Sequence, residues 1–140
     1  MSEEYWVPCV LEDVNIDTRL YMGGPYYTSA SSNDFQALFI LPLPTQKGAA
    51  SLHVGNIQVN IFDANPNDSV DRIIVYAASW DGLETLLDDK TKRYTKGSFV
   101  YQMPMKNVGA FEKVVVRLFC AASAPKGLDI SSIRVKCSYM

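Results

Sequence analysis

Hydrolytic, redox or metal chemistry in this chain would have to be built from a single histidine, His53, and three cysteines, Cys9, Cys120 and Cys137. His53 stands in an alternating stretch with Leu52 and Val54 on the opposite side of the strand, so its imidazole is expected at solvent or in a loop. A general base needs a second group to orient the ring, and the sequence supplies none. The cysteines are odd in number and none has metal-binding spacing, which reads as reduced thiols in a cytosol-like compartment, each a small buried hydrophobe. Ser29, Ser31 and Ser32 fall in a polar loop without a nucleophile-elbow pattern. The chain is therefore expected to be no enzyme, with no cofactor and no bound metal.

Three loops have a partial look of ligand binding. In Asp63-Ala64-Asn65-Pro66-Asn67-Asp68-Ser69-Val70-Asp71 the oxygen-bearing residues start at calcium-loop spacing. Asp68 takes the place of the turn glycine, Pro66 stiffens the middle, and Ile74 stands where a bidentate glutamate is needed. Asx turns joining two strands account for these residues more simply. Lys90-Thr91-Lys92-Arg93-Tyr94-Thr95-Lys96 groups four cations around one ring, but Asp88 and Asp89 offset half of that charge, so a solvated hairpin loop is expected and no nucleic-acid partner. The aromatic loops point further. Tyr26 and Tyr27 follow Gly23-Gly24-Pro25, and Trp80 precedes Asp81-Gly82. Rings among polar neighbours offer a rigid contact surface, so Tyr26, Tyr27, Trp80 and Asp81 are the candidate binding residues, with capping of the core ends as the competing role.

The elements that must position these groups are strands. Apolar and polar residues alternate in Ile133-Arg134-Val135-Lys136-Cys137-Ser138-Tyr139, which predicts a half-buried strand at the C-terminus. Further candidates are Tyr5–Leu11, Val14–Tyr21, Phe35–Leu43, Ser51–Val54 running into Ile57–Phe62, Arg72–Trp80, Ser98–Met105, Lys113–Ala121 and Leu128–Tyr139. In Lys113–Ala121 the even positions Val114, Val116, Leu118 and Cys120 are the expected core face. The phase slips at Ser131-Ser132, where a bulge would restore it, and again at Gly55-Asn56, which supplies a bulge or a tight turn. Arg72–Trp80 has no polar face and is expected to lie centrally, covered on both sides. Pro42, Pro44 and Pro104 mark strand ends or edges.

Asp81–Asp89 is the one stretch with a helical option, since Leu83, Leu86 and Leu87 share a helical face; a loop is the alternative. If Pro125-Lys126-Gly127 closes a simple hairpin, Cys120 and Cys137 end up roughly 20 Å apart at strand rise, too far for a disulfide. Only a last strand crossing to another sheet would bring them together.

The chain of 140 residues suits one domain spanning 1–140, and its 48% hydrophobic and 20% charged content is that of a globular protein with one core. A net charge of -2 gives no field for nucleic acid or an anionic membrane, and no segment has the length to span a bilayer as a helix. Met1-Ser2-Glu3-Glu4 has neither a basic nor an apolar leader region, so a cytoplasmic protein is expected unless a leader precedes this numbering.

Several short strands with turns between them predict an all-β, two-sheet antiparallel sandwich of about eight strands, of jelly-roll or Greek-key type, with an up-and-down barrel as the alternative. In outline this resembles the β-sandwich modules found among carbohydrate-binding domains and viral coat or spike proteins, a likeness of fold that carries no function. Two function classes remain. One is a structural or interaction subunit that binds itself or another protein as a homo-oligomer or larger assembly. The other is a module that binds a small ligand or glycan through its aromatic loops.

Overall fold

The computed structural model describes residues 3–14, 20–23, 26–29, 35–63, 68–79, 81–95, 97–109, 113–121 and 129–140. In this part of the chain, strands β2 (Val10–Val14), β5 (Phe35–Leu41), β12 (Lys113–Ala121), β8 (Ser69–Ala78) and β9 (Glu84–Tyr94) lie side by side in that order as one antiparallel sheet. The second sheet runs β10 (Gly97–Tyr101), β7 (Ala50–Asp63), β13 (Asp129–Tyr139), β4 (Tyr26–Ser29), β3 (Leu20–Gly23). Three further segments join it: β1 (Tyr5–Pro8) pairs with β13, while β6 (Gln46–Lys47) and β11 (Lys106–Asn107) pair with β7.

The chain passes repeatedly from one sheet to the other, and β12 inserts between β5 and β8 rather than beside its sequence neighbours. That is a two-sheet antiparallel sandwich with connections of the jelly-roll or Greek-key type. There are thirteen strand segments among the described residues rather than about eight, because long strands break where they change partner. The predicted strand Tyr5–Leu11 shows why. Its first part is β1 in one sheet and its second part begins β2 in the other, with Cys9 buried at the crossing and its N–H bonded to the Ile133 carbonyl at 2.8 Å. Val14–Tyr21 likewise divides between β2 and β3, and 15–19 lies outside the described residues.

Parity sets the core. Val114, Val116, Leu118 and Cys120 of β12 face inward with Phe39 of β5 and Val75 of β8, meeting Ile57, Val59, Ile133 and Val135 of the opposite sheet in one buried cluster. Each large aliphatic side chain withdrawn from water there contributes about 1.5–3 kcal/mol. β8 lies between β12 and β9, with Ile73, Val75 and Ala77 buried toward the core and Tyr76 and Ala78 nearly so on the other side. Both phase slips are bulges: Ser131 is the extra residue between Ile130 and Ser132, and Gly55 and Asn56 fall between the pairs Val54–Cys137 and Ile57–Val135.

Two expectations are corrected. Asp81–Asp89 is neither helix nor loop from Glu84 onward; Glu84–Tyr94 is an edge strand on β8, so Lys90–Tyr94 is strand and not hairpin loop. The leucine spacing misleads because Leu87 alone is buried, while Leu83 and Leu86 are more than 60% exposed, at 63% and 61%. An edge strand tolerates the density of charge that made this stretch look unlike a strand. The other correction concerns β12 and β13, which form no simple hairpin: they lie in different sheets. All three cysteines are nonetheless free thiols and buried. Burial pushes Cys9 and Cys137 up to about 12, with the neighbouring Cys137 adding to the shift at Cys9; burial also raises Cys120.

A candidate binding groove over a broken ladder

β7 is the longest strand and the one with the most interrupted neighbours. On one side Ile57 pairs with Val135 and Val54 with Cys137, so Gly55 and Asn56 together oppose the single residue Lys136. On its other side Tyr101 pairs with Ile57 and Lys106 with Val54, so four residues, Gln102 to Met105, arch past the same two positions. Pro104 falls within this arch, where its missing N–H leaves no gap in a ladder.

Glycine is what lets the arch come close. A Cβ at Gly55 would lie 3.3 Å from Met105 Sδ, 3.4 Å from its Cε and 3.6 Å from the Met103 carbonyl oxygen. Asn56 ties the arch down from the next position, its Oδ1 accepting the Met103 N–H at 3.0 Å. The result is a polar cleft of about 560 Å³ lined by Asn56, Lys90, Gln102, Met103 and Pro104. A smaller depression of about 160 Å³ adjoins it, lined by Glu4, Gly55, Asn56, Met103, Met105 and Lys136. Asn56 and Met103 belong to both, so the two make one groove across β7 and β13.

A cation stands at each end, Lys90 at one and Lys136 at the other, each over an aromatic ring. Lys90 Nζ, on the edge strand β9, donates to the Gln102 carbonyl at 3.0 Å and stands 5.1 Å from the centre of the Tyr101 ring. Tyr101 is fully buried, and burial followed by the nearby Asp88 carboxylate drives its phenol pKa strongly upward, so it stays neutral. At the other end Lys136 Nζ is 3.1 Å from Glu4 Oε2 and 5.6 Å from the centre of Trp6. Trp6 pairs with Lys136 across the strands and is 39% exposed, a ring open on one side.

Chemically the groove offers amide and ammonium donors and one carboxylate, with the exposed Trp6 indole beside Lys136. It has no paired acid and base and no nucleophile with an orienting partner. Among the described residues no group of three or more His, Cys, Asp or Glu side chains could hold a metal ion.

Of the sequence-predicted residues, Tyr26, Tyr27 and Asp81 lie elsewhere and apart. Tyr26 and Tyr27 are in β4, whose Tyr27 pairs with Ile130 at the beginning of β13. That is the end of the sandwich where β12 finishes, at Ala121 opposite Ser69. Asp81 follows β8 at the opposite end, where Ala78 faces Lys113, the first residue of β12. Trp80 lies outside the described residues, as do 64–67 of the loop with calcium-like spacing. Asp81 is exposed and closes the turn into β9: it accepts the Ser79 hydroxyl, and the Leu83 N–H lies 3.4 Å away. The Ser79 hydrogen bond, with help from Leu83, holds the Asp81 pKa below the usual carboxylate range. His53 sits on β7 with its Nδ1 3.0 Å from the Ser51 carbonyl, a local strand-surface contact.

Sequence reasoning did not single out Trp6, Asn56, Lys90, Gln102 or Lys136 as a set. The one signal for it was the phase slip at Gly55-Asn56, since bulges often sit beside sites where they re-aim side chains.

No family model matches the sequence, and no curated protein matches it by sequence. Solved structures do match by fold. A family 32 carbohydrate-binding module from C. perfringens NanJ, in complex with galactose, aligns with a TM-score of 0.54 at 13% identity, covering 96% of this chain and 99% of that one. A variant of chitosan-binding module 1, derived from a chitosanase/glucanase of Paenibacillus sp. IK-5, aligns with a TM-score of 0.50 at 13% identity, covering 91% and 92%. The chain thus has the β-sandwich fold of these modules over nearly its whole length.

Proposed function

We propose that this chain is a non-catalytic binding module whose ligand is a carbohydrate, taken in the groove over Gly55-Asn56. The observation that carries the reading is the groove itself, where the amide of Asn56 joins two adjoining depressions, Lys90 lines one and Lys136 the other, and the exposed indole of Trp6 stands beside Lys136. A sugar ring presents an apolar C–H face that packs on indole and a rim of hydroxyls that pair with amides. Support comes also from the fold, which is that of a module with galactose bound.

The test is a titration of the full chain with galactose- and glucosamine-based oligosaccharides, followed by calorimetry and by amide shifts in NMR spectra. Trp6→Ala and Asn56→Ala should each weaken binding about tenfold or more while the chain stays folded. Binding that survives both substitutions would move the ligand out of this groove.

A second reading, a self-associating subunit, draws on one observation. Val10, Ile40, Val115, Tyr76 and Leu86 are consecutive partners across all five strands of the smaller sheet, an apolar row whose ends, Val10 and Leu86, are 48% and 61% exposed. Light scattering decides it: a concentration-dependent dimer abolished by Leu86→Glu favours association, and a monomer at all concentrations removes it.

A further inference from the structure

We propose that the free edge of β9 pairs antiparallel with the same edge of a second copy of this chain, joining two five-stranded sheets into one. This concerns a surface apart from the groove and does not rest on the carbohydrate reading. β9 is the last strand in the order β2-β5-β12-β8-β9, so its outer row of N–H and C=O groups meets no strand among the described residues. Of its eleven residues only Leu87 is buried, and Leu86 is 61% exposed. A long edge strand with an uncovered leucine is a template for another strand unless its side chains forbid it.

The charges of β9 forbid most partners and fit one. Glu84, Asp88 and Asp89 come first along the strand, and Lys90, Lys92 and Arg93 follow. A parallel copy in register would set acid beside acid and base beside base, which is destabilising. An antiparallel copy turns the strand end for end about a two-fold axis, so the acidic half of each copy lies along the basic half of the other.

The centre of this arrangement is Asp89, the middle residue of Glu84–Tyr94. Each half of the strand carries one break in its register with β8, at Leu87 and at Lys92-Arg93, so turning the strand end for end keeps the halves in step. Asp88 of one copy then stands beside Lys90 of the other, and Glu84 beside the Arg93-Tyr94 end. Lys90 has donors to spare, since its bond to the Gln102 carbonyl uses one of three. Asp89 is the one charge that meets its own kind, and its carboxylate is already held by two nitrogens of Arg72 at 2.9 and 2.6 Å. A single strand edge covers less area than the roughly 1,200 Å² of a standard interface, so the dimer is weak and depends on concentration.

The experiment is sedimentation velocity on the full chain at low salt, from about 10 μM to about 1 mM. A dimer should grow in with concentration. Glu84→Lys and Arg93→Glu should each weaken it about tenfold or more, because like charges then face each other twice across the axis. An equimolar mixture of the two variants should restore it, since each copy brings the charge the other has lost, and that recovery also shows both variants folded. Val10→Glu, at the far end of the apolar row on β2, should leave it unchanged. A monomer at every concentration overturns the proposal, and so does a mixture no more dimeric than the variants alone. A dimer lost in Val10→Glu and indifferent to the two charge reversals overturns it in favour of association through the apolar face.

Discussion

On the outer side of the five-stranded sheet, Val10, Ile40, Val115, Tyr76 and Leu86 form one apolar row, whereas on the outer side of the eight-stranded sheet Gln58, Asn60, Ser132 and Arg134 are all polar. Both faces come from period-two strands, and they have been put to different use. On the apolar side Val115, Tyr76 and Ala78 are at most 8% exposed and cluster with Leu38 and Ile74, so this face behaves as a second, smaller core. On the polar side the outward groups pair with one another, as Asn60 does with Ser132 at 2.5 Å and Gln58 with Ser98 at 3.3 Å. The groove opens only where that ladder is broken, at Gly55-Asn56. Continuous rows of partners build stability here, and an interruption opens a groove.

The comparison is tested most severely on the two sides of β8 and β12. Val75 is fully buried between the sheets, so Val75→Asp places an unpaired carboxylate in the main core and is expected to abolish soluble folding, a loss above about 4 kcal/mol. Arg117 faces the other way, with Nη2 donating to the Tyr76 hydroxyl at 3.2 Å and the guanidinium 5.4 Å from that ring. Arg117→Ala removes one hydrogen bond and one cation–π contact, about 1–2 kcal/mol, and should leave a folded protein. Urea unfolding of both variants checks this. Equal losses would show that the outer face is no lesser core than the inner one.

Much of that contrast could be read from the residues before any coordinates. The even positions of Lys113–Ala121 and the odd positions from Ile133 to Cys137 are buried as parity requires, because side-chain direction on a strand is a local property. The bulges at Ser131 and Gly55-Asn56 were legible for the same reason, each marked by a change of phase. Sheet membership was not legible. Whether β13 returns beside β12 or crosses to the other sheet depends on long-range pairing, which nothing near Pro125 encodes. The groove was hidden in the same way, since Glu4, Trp6, Asn56, Lys90, Gln102 and Lys136 lie on separate stretches that only the register brings together. Strong local signals at Tyr26, Tyr27, Trp80 and Asp81 drew attention instead, and β4 and the β8–β9 turn lie at opposite ends of the sandwich.

A middling effect is expected where the polar ladder breaks. Gly55→Val puts branched carbon into the space held by Met105 and the Met103 carbonyl, and overpacking of this kind costs about 1–3 kcal/mol. Gly55→Ala should cost less, because the atoms 3.3 and 3.4 Å away are the far end of the flexible Met105 side chain. Combining Gly55→Val with Met105→Ala should recover part of the loss, and a double-mutant cycle measures the coupling. Strict additivity would mean that Met105 does not close the floor of the groove.

The smallest effect belongs to the exposed edge of the apolar side, where Arg72 Nε and Nη2 donate to Asp89 Oδ1 and Oδ2 at 2.9 and 2.6 Å. This two-point pairing from Arg72 holds the Asp89 carboxyl below its usual range of about 3.8. A carboxyl with a depressed folded-state pKa adds stability that is fully present above the unfolded value and is lost as pH falls through the folded one. The unfolding midpoint in urea should therefore be insensitive to Asp89 between about pH 5 and 7 and should fall below about pH 4, where the pair is progressively neutralised. Asp89→Asn should flatten part of that fall, and added salt should diminish the difference, since both partners are solvent-exposed and screened. An acid limb of the same steepness in Asp89→Asn would assign the fall to other carboxylates, Asp81 first among them because its pKa is shifted in the same direction.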